Sequence, residues 1–226
     1  MNKKTLVKNM FDSIAYRYDL LNHLLSAGVD VYWRKKALKL SKLNGNSILL
    51  DVACGTGDFA ITAKKMGVKN IIGADLSKEM LLLFTKKSQW AKGNLIQMVA
   101  ENCPFKDSSV TNITVAFGVR NFYDIPASFD SFYNILKPGG KVTVLEFRLP
   151  SNKVLRKLYQ FYFKNILPII GKMISKDKEA YTYLPESVEE FDKNVNLREL
   201  FLKSGYSNVS VHSLTFGLVQ IVIATK

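Results

Sequence analysis

The residues with the clearest chemical potential are two carboxylates and two glycines that follow short apolar runs. Asp51, Gly55 and Gly57 fall in the run DVACGTG at 51–57, and Asp75 ends the next apolar run. Glycine lets a backbone turn sharply and approach a ligand closely. A carboxylate at the end of the second strand can accept hydrogen bonds from both hydroxyls of a ribose. The pattern therefore predicts a nucleoside-binding site at the carboxyl ends of two strands.

The charge in front of the glycine turn distinguishes between two cofactors that bind such loops. A nicotinamide dinucleotide requires Gly-x-Gly-x-x-Gly, and Ala60 satisfies only the relaxed form of that pattern. Asp51 would repel a pyrophosphate, whereas it suits the cationic amino group of a methionine moiety. We therefore expect S-adenosylmethionine as the cofactor and S-adenosylhomocysteine as its product.

The elements that would position these residues alternate between strands and helices. Strand-like apolar runs lie near 47–52, 70–75, 95–100, 111–117 and 141–147. Two further strands, at 209–214 and 218–225, are joined by three residues and must be antiparallel. The predicted fold is a doubly wound α/β domain with a seven-stranded, mostly parallel sheet, an antiparallel C-terminal strand and an N-terminal helical lid. This is the common methyltransferase shape, not that of a nicotinamide dehydrogenase.

One domain is expected over residues 1–226, because no internal repeat or low-complexity linker interrupts the chain. Apolar residues recur every three or four positions over 11–26, which predicts an amphipathic helix within an N-terminal extension, 1–45. The α/β core, 46–226, contains a long apolar and aromatic helical stretch at 154–174 with basic residues on one side. We interpret 153–190 as a substrate lid; a membrane-surface helix and a plain packing helix are the alternatives.

Composition narrows the choice of partner and compartment. The net charge of +13 suggests an anionic partner, either nucleic acid or a membrane surface, or else lysine richness that serves solubility. Two cysteines, no signal-peptide pattern and no long apolar run favour a reducing, cytoplasmic setting. The two cysteines fit no metal-ligand spacing, and the chain has only two histidines, so no metal site is expected.

Four further segments carry motifs specific enough to compare with a family. They are YDLLNHLLS at 18–26 with Trp33 after it, FGVRN at 117–121, LKPGG at 136–140 followed by VLEF, and YLPES at 183–187. KPGG is common to many methyltransferases, whereas the first two segments are far more specific. Together the segments resemble the ubiquinone/menaquinone biosynthesis C-methyltransferases, and the resemblance spans nearly the whole chain.

The resemblance implies a set of cofactor contacts in addition to Asp51, Gly55 and Gly57. Thr56 would lie in the glycine loop, and Asp75, followed by Leu76, would hold the ribose. The remaining contacts implied are Ala100 and Glu101 beside adenine after the third strand, and Ala116 and Phe117 at the end of the fourth.

The resemblance also implies methylation of a ring carbon on a prenylated quinol, and four residues are candidates for that chemistry. Arg120 would stabilise a phenolate or orient a water, since its pKa is too high for a plain base. Asn121 would hydrogen-bond a ring oxygen. Tyr18 and Asp19 belong to the helix that would cover the pocket, and Asp19 or a bound water is the hypothetical proton acceptor. The alternatives are a core position for Tyr18 and a structural pairing of Arg120 with Asp124.

Several functions stay open from the sequence. An RNA methyltransferase would explain the positive charge, yet no RNA-binding module accompanies the domain, and nucleic acid is not expected as a partner. A methyltransferase that acts on another small molecule would have the same cofactor-binding residues. A non-catalytic protein and a nicotinamide enzyme are disfavoured by the glycine loop, Asp51 and Asp75. We expect demethylmenaquinol as substrate, a transient contact with an anionic membrane surface, and leave a homodimer open.

Overall fold

The computed structural model describes residues 3–19, 26, 28–166 and 179–226. Over these residues the chain forms one seven-stranded sheet with helices packed on both faces. The predicted fold class is confirmed, including the terminal antiparallel hairpin. No helix of the described residues is long and apolar enough to cross a membrane.

The sheet has the strand order β3-β2-β1-β4-β5-β7-β6. Its strands are β1 (Ile48–Val52), β2 (Asn70–Asp75), β3 (Leu95–Gln97), β4 (Val110–Ala116), β5 (Leu136–Phe147), β6 (Asn208–Leu214) and β7 (Val219–Thr225). The first five run parallel, and β7 runs antiparallel to both β5 and β6. The strand order reverses between β1 and β4, and open α/β sheets bind ligands outside the strand ends at such a point.

The helices are α1 (Lys3–Ile14), α2 (Val29–Ser41), α3 (Asp58–Lys65), α4 (Lys78–Lys87), α5 (Ile125–Ile135), α6 (Lys153–Phe161), α7 (Glu179–Asn194) and α8 (Leu197–Lys203). Side chains cap several of them, as Ser77 does for α4 and Asn196 for α8. Each cap oxygen accepts a backbone N–H that has no partner inside the helix.

Two hydrophobic cores lie on opposite faces of the sheet. Successive strand residues point to opposite faces, so Leu49 joins one core and Leu50 the other. On the Leu50 side, Phe129 of α5 and Phe201 of α8 stack with ring centroids 4.0 Å apart. On the Leu49 side the sheet is covered by α2, α3 and α4, including the fully buried Phe84. The strand ends between the two cores are thereby held in fixed positions.

The predicted helix bounds differ from those observed in the two lid regions. In place of one helix over 11–26, α1 begins at Lys3 and ends at Ile14, followed by a 3-10 turn at Ala15–Arg17. In the second region α6 passes into a π-helical turn at Tyr162–Ile166. The predicted stretches at 20–25 and 167–178 lie outside the described residues.

Two strands also differ in extent from their predictions. β3 is shorter than the run 95–100, because its pairing with β2 stops at Gln97. β5 starts earlier, at Leu136, so the LKPGG segment belongs to the strand and not to the turn that ends α5. The early start is possible because the β4–β5 register shifts between Val110 and Asn112, which accommodates the extra residues.

Candidate active site

Three neighbouring cavities lie at the carboxyl ends of β1, β2 and β4. The small cavity, about 100 Å³, is bordered by the glycine loop, Asp75 and the segment after β3. The niche, about 20 Å³, lies beneath the loop beside Asp51 and Arg34. The apolar cavity, about 380 Å³, lies under α1, α6 and α7. Tyr18 borders all three cavities, and Phe117 separates the small cavity from the apolar one.

Asp75 connects the glycine loop to the start of α4. One carboxylate oxygen accepts the N–H of Gly55 at 2.8 Å, and the other accepts the N–H of Ser77 at 2.8 Å. Burial raises the pKa of Asp75, although the backbone N–H groups of Ser77 and Gly55 oppose this. Because each oxygen keeps a further lone pair, the carboxylate can still accept hydrogen bonds from ligand hydroxyls in the small cavity.

The glycine loop holds an unusual backbone against the neighbouring strands. Ala53 adopts a left-handed conformation with φ 51°, which costs a non-glycine residue about 1–3 kcal/mol. Gly57 has φ 89°, and a Cβ placed there would lie 2.3 Å from the ring of Phe84. Gly57 is not among the residues that border these cavities, and its lack of a Cβ allows the loop to pack against Phe84 of α4. Gly55 borders both the small cavity and the niche.

Asp51 lies at the bottom of the niche and is 1% exposed. Its carboxylate accepts the Thr114 hydroxyl at 2.7 Å and the Ala60 N–H at 3.1 Å. Burial raises the pKa of Asp51 to about 7, while these hydrogen bonds and Arg34 lower it. A cation in the niche would favour the ionised form, because it would compensate for the lost hydration. The position therefore suits an ammonium group, as the sequence predicts.

Arg34 is a site residue that the sequence analysis missed. It is 6% exposed, pairs with Asp30 on the same helix, and lies 3.9 Å from Asp58. Its guanidinium borders both the niche and the apolar cavity. The niche thus offers a carboxylate and a guanidinium, which match the two charges of an amino acid. The signal available in the sequence was the position of Arg34 directly after the motif residue Trp33.

Five of the residues that the resemblance assigns to the cofactor border the small cavity. They are Ala100 and Glu101, predicted beside adenine, Leu76 after Asp75, and Ala116 and Phe117 at the end of β4. The Glu101 carboxylate accepts the backbone N–H groups of Tyr123 at 2.7 Å and Asp124 at 3.2 Å. Glu101 therefore fixes the loop before α5 as well as bordering the cavity. Phe117 has φ 58° and continues from β4 into the turn that carries Arg120.

The N-terminal segment closes over the cofactor side of the site. Asp12 of α1 accepts the Ser77 hydroxyl, which joins α1 to the end of β2. Asp19 accepts the Thr56 hydroxyl and forms an ion pair with Lys87 at 2.8 Å. Asp19 therefore sits above the glycine loop and is not among the residues that border the apolar cavity. Thr56 borders the niche, so the contact brings two predicted site residues together.

Arg120 borders the apolar cavity and is held by a buried network. Its guanidinium donates to Glu146 at 2.7 Å, to the Phe117 carbonyl at 2.6 Å and to Ser187 at 3.3 Å. Glu146 is 0% exposed. The alternative pairing with Asp124 is not observed, because Asp124 caps α5 through the Ala127 N–H. Glu146, at the end of β5, is instead the residue that orients Arg120.

Asn121 and Arg120 share the turn Val119–Asn121 but face different cavities. Asn121 borders the small cavity and accepts the Tyr183 hydroxyl at 2.8 Å, whereas Tyr183 borders the apolar cavity. This contact brings the predicted late segment of α7 onto the site. Tyr18 and Phe117 border both cavities, so the two cavities are neighbours at these rings.

Solved structures with related folds support the architecture. An S-adenosylmethionine-dependent methyltransferase from Thermotoga maritima matches with a TM-score of 0.65 at 19% identity, over 96% of this chain and 99% of that one. The [4+2]-cyclase SpnF matches with a TM-score of 0.62 at 12% identity, over 100% of this chain and 96% of that one. Since a cyclase shares the fold, the likeness supports the architecture alone.

Sequence relatives and a family model identify a family as well as a fold. A demethylmenaquinone methyltransferase of Chlorobaculum parvum is 40% identical over 227 residues, which cover 99% of this chain and 93% of the relative. The ubiquinone/menaquinone biosynthesis C-methyltransferase UbiE of Geotalea daltonii is 42% identical, over 97% of this chain and 96% of the relative. The model of the ubiE/COQ5 methyltransferase family matches residues 1–226. The resemblance found in the motifs is confirmed: the chain belongs to the ubiE/COQ5 methyltransferase family.

Proposed function

We propose that the protein transfers a methyl group from S-adenosylmethionine to a ring carbon of a prenylated quinol. The observation that carries the proposal is the arrangement of the two larger cavities. An apolar cavity of about 380 Å³, with Arg120 in its wall, shares the boundary residues Tyr18 and Phe117 with the small cavity. An apolar aromatic acceptor in the larger cavity and a nucleoside donor in the small cavity would lie next to each other at these two residues.

The residues of the small cavity and the niche fit S-adenosylmethionine as donor. Asp75 is placed to accept ribose hydroxyls, Asp51 to pair with the ammonium and Arg34 to pair with the carboxylate. When bound, S-adenosylmethionine supplies an electrophilic methyl group on a sulfonium. The buried Asp51, with its raised pKa, fits a cationic ligand and would disfavour a pyrophosphate.

Arg120 is placed to increase the electron density of the acceptor ring. A guanidinium beside a phenolic oxygen stabilises the phenolate, and its effect is larger in a cavity that excludes water. The phenolate directs electron density to the ortho carbon, which forms the new bond to the methyl group. Glu146 and the Phe117 carbonyl hold the guanidinium in one orientation. Asn121 accepts from Tyr183 and borders the small cavity, not the apolar one, so its amide NH₂ lies on the donor side of the site.

The reaction releases one proton overall and requires no metal ion. The phenolic proton leaves before transfer, and the carbon–methyl bond would form as the sulfonium–methyl bond breaks. The ring carbon then loses its hydrogen as a proton, and the ring oxygen regains a proton. We propose a water beside Arg120 as first acceptor, in preference to Asp19. The Asp19 carboxylate already holds Thr56 and Lys87 above the glycine loop.

Demethylmenaquinol is the acceptor that we propose. The support comes from the relatives named demethylmenaquinone methyltransferase, in Chlorobaculum parvum and Thermus thermophilus among others. A reduced naphthoquinol has the phenolic hydroxyl that the Arg120 chemistry requires, whereas the oxidised quinone has none. Aromatic cavity residues such as Trp33, Phe117 and Phe147 suit a fused ring system.

The test is incubation of the purified protein with methyl-labelled S-adenosylmethionine and a short-tailed demethylmenaquinol under reducing conditions. Label on the ring carbon, identified by mass, is the expected result, and the oxidised quinone should remain unlabelled. A ubiquinol-type precursor in a parallel reaction distinguishes the two quinol classes. If the cofactor binds by calorimetry but neither quinol is labelled, the proposed acceptor is wrong and only the donor half of the proposal stands.

We also propose that the mouth of the apolar cavity contacts an anionic membrane surface, where a prenylated substrate resides. Exposed apolar side chains surround that mouth, among them Leu158 at 61% and Phe216 at 83% exposure, and both also border the cavity. The exposed Lys153 and Lys157 of α6 flank them. Such a surface suits insertion at an anionic interface.

The membrane contact is tested by sedimentation with anionic and neutral vesicles at low salt. Binding to the anionic vesicles that is weakened by salt and by Leu158→Asp is expected. Leu202→Asp is the matched control, because Leu202 is 41% exposed and does not border the cavity. No binding to either vesicle would exclude the contact.

A further inference from the structure

Tyr159 borders the apolar cavity and carries a buried, unpaired hydroxyl. The residue lies on α6 and borders the cavity together with Leu155 and Leu158 of that helix and Tyr162 of the π-helical turn that follows, at spacings of three and four. Its ring packs against Phe163, with ring centroids 4.1 Å apart. Among the described residues, its buried hydroxyl oxygen has no hydrogen-bond partner.

Such a hydroxyl requires an explanation, because buried polar groups in proteins almost always have partners. An unpaired donor loses its hydration without compensation, and a ligand that supplies a partner removes that penalty. Three other polar side chains at the cavity have partners. Tyr183 donates to Asn121, Trp33 donates to Thr215, and Arg120 donates to Glu146. Among the described residues that border the cavity, Tyr159 thus carries a hydroxyl with unused hydrogen-bonding capacity.

The surroundings of Tyr159 keep its hydroxyl neutral. Burial raises the pKa of Tyr159 well above its ordinary value, while Arg120 lowers it and Glu146 raises it. The hydroxyl therefore acts as a hydrogen-bond donor or acceptor and not as a base. Tyr159 and Arg120 border the same cavity.

A quinol presents two oxygens to such a cavity, one ortho to the methylated carbon and one across the ring. If Arg120 stabilises the ortho oxygen, the second oxygen would enter an apolar wall unless a polar group meets it. We propose that the Tyr159 hydroxyl hydrogen-bonds this second oxygen and so selects rings with oxygens at both positions. The inference rests on the proposed function and assigns a specificity role within the same site.

The test compares two acceptors in wild type and Tyr159→Phe. One acceptor is a short-tailed demethylmenaquinol. The other is the prenylated naphthol that keeps the hydroxyl ortho to the methylated carbon and lacks the oxygen across the ring. Tyr159→Phe should raise KM for the quinol roughly five- to tenfold, since one neutral hydrogen bond is lost. It should leave KM for the naphthol and the affinity for S-adenosylmethionine unchanged.

A stability measurement separates this role from a structural one. Tyr159→Phe removes an unpaired hydroxyl, so the free protein should unfold at the same or a higher temperature. The matched control is Tyr133→Phe, because Tyr133 packs against Tyr206 and is not among the residues that border the cavities. The control should change neither KM.

Three results would overturn the inference. They are an unchanged KM for the quinol in Tyr159→Phe, an equal rise for both acceptors, and a clear loss of thermal stability. If wild type methylates neither acceptor, the proposed function fails and the inference fails with it. Quinol turnover by wild type with no effect of Tyr159→Phe is the distinct result that removes the inference alone.

Discussion

The cofactor half and the substrate half of the site are built in different ways. The cofactor half consists of the glycine loop at 51–57, Asp75 and the small cavity, and backbone N–H groups of the loop and of the helix starts that follow β1 and β2 hold its carboxylates. In the substrate half, helices cover the apolar cavity, and side chains orient one another, as Glu146 orients Arg120. Donor binding therefore depends on the sheet and the loops at its strand ends, whereas acceptor recognition depends on the helices that pack over the apolar cavity.

The sharpest test of this division is Arg120→Ala. We expect kcat to fall roughly 10³-fold, because the phenolate would lose its charged partner in a cavity that excludes water. The Kd of S-adenosylmethionine, measured by calorimetry, should stay nearly constant because Arg120 does not border the small cavity. Arg148→Ala removes a half-exposed arginine and serves as the control. A comparable loss of turnover and cofactor affinity would show that the two halves are not separable.

The reverse effect is expected for Asp75→Asn. The Kd of S-adenosylmethionine should rise roughly 100-fold, because a neutral amide accepts more weakly than a carboxylate and leaves one of two backbone N–H groups without an acceptor. Asp107→Asn changes an exposed acid and should leave Kd unchanged. A fall in kcat at saturating cofactor, with the Kd of S-adenosylmethionine unaltered, would show that Asp75 acts in the substrate half instead.

The dependence of the loop on the sheet is tested by a pair of glycine substitutions. Gly57 and Gly67 both have left-handed backbones, with φ of 89° and 98°, but only Gly57 has a neighbour within 4 Å, the Phe84 ring. Gly57→Ala should therefore lower the free energy of unfolding by about 2 kcal/mol more than Gly67→Ala. The measurement is denaturant unfolding. Equal losses would mean that α4 does not constrain the loop.

The smallest expected effect is a pH dependence of cofactor affinity. Burial raises the pKa of Asp51 to about 7, so the carboxyl must lose a proton to pair with an ammonium at lower pH. Affinity for S-adenosylmethionine should therefore fall by up to about tenfold per pH unit below 7 and level off above it. Asp51→Asn should bind more weakly and show a flatter profile. Identical profiles would assign the titration to another group.

The raised pKa of Asp51 has the opposite consequence for the stability of the protein without cofactor, which falls as pH rises. Because the folded-state pKa of Asp51 lies above its ordinary value of 3.8, its contribution to stability is complete below that value and is lost as pH rises through about 7. The difference in melting temperature between Asp51→Asn and wild type should therefore change in favour of the variant as pH rises. Bound S-adenosylmethionine should reduce that difference.

The sequence by itself determined the fold class and the cofactor half. Asp51, Gly55 and Asp75 are recognisable because the end of a strand, a glycine turn and the start of a helix are adjacent along the chain. The motifs around Tyr18 and at 117–121 likewise identified the family. Thr56 and Gly57 were both predicted from the loop, but only the structure separates a residue of the niche from one that packs on Phe84.

Only the tertiary structure decided how the substrate half is assembled. The pairing of Arg120 with Glu146, the contact of Tyr183 with Asn121 and the place of Arg34 in the niche all join segments that are distant in sequence. The unpaired hydroxyl of Tyr159 is likewise invisible in a helical pattern, which marks a buried face but not what its polar atoms meet. Local spacing fixes which elements form, whereas the partners of a buried polar group depend on how those elements pack.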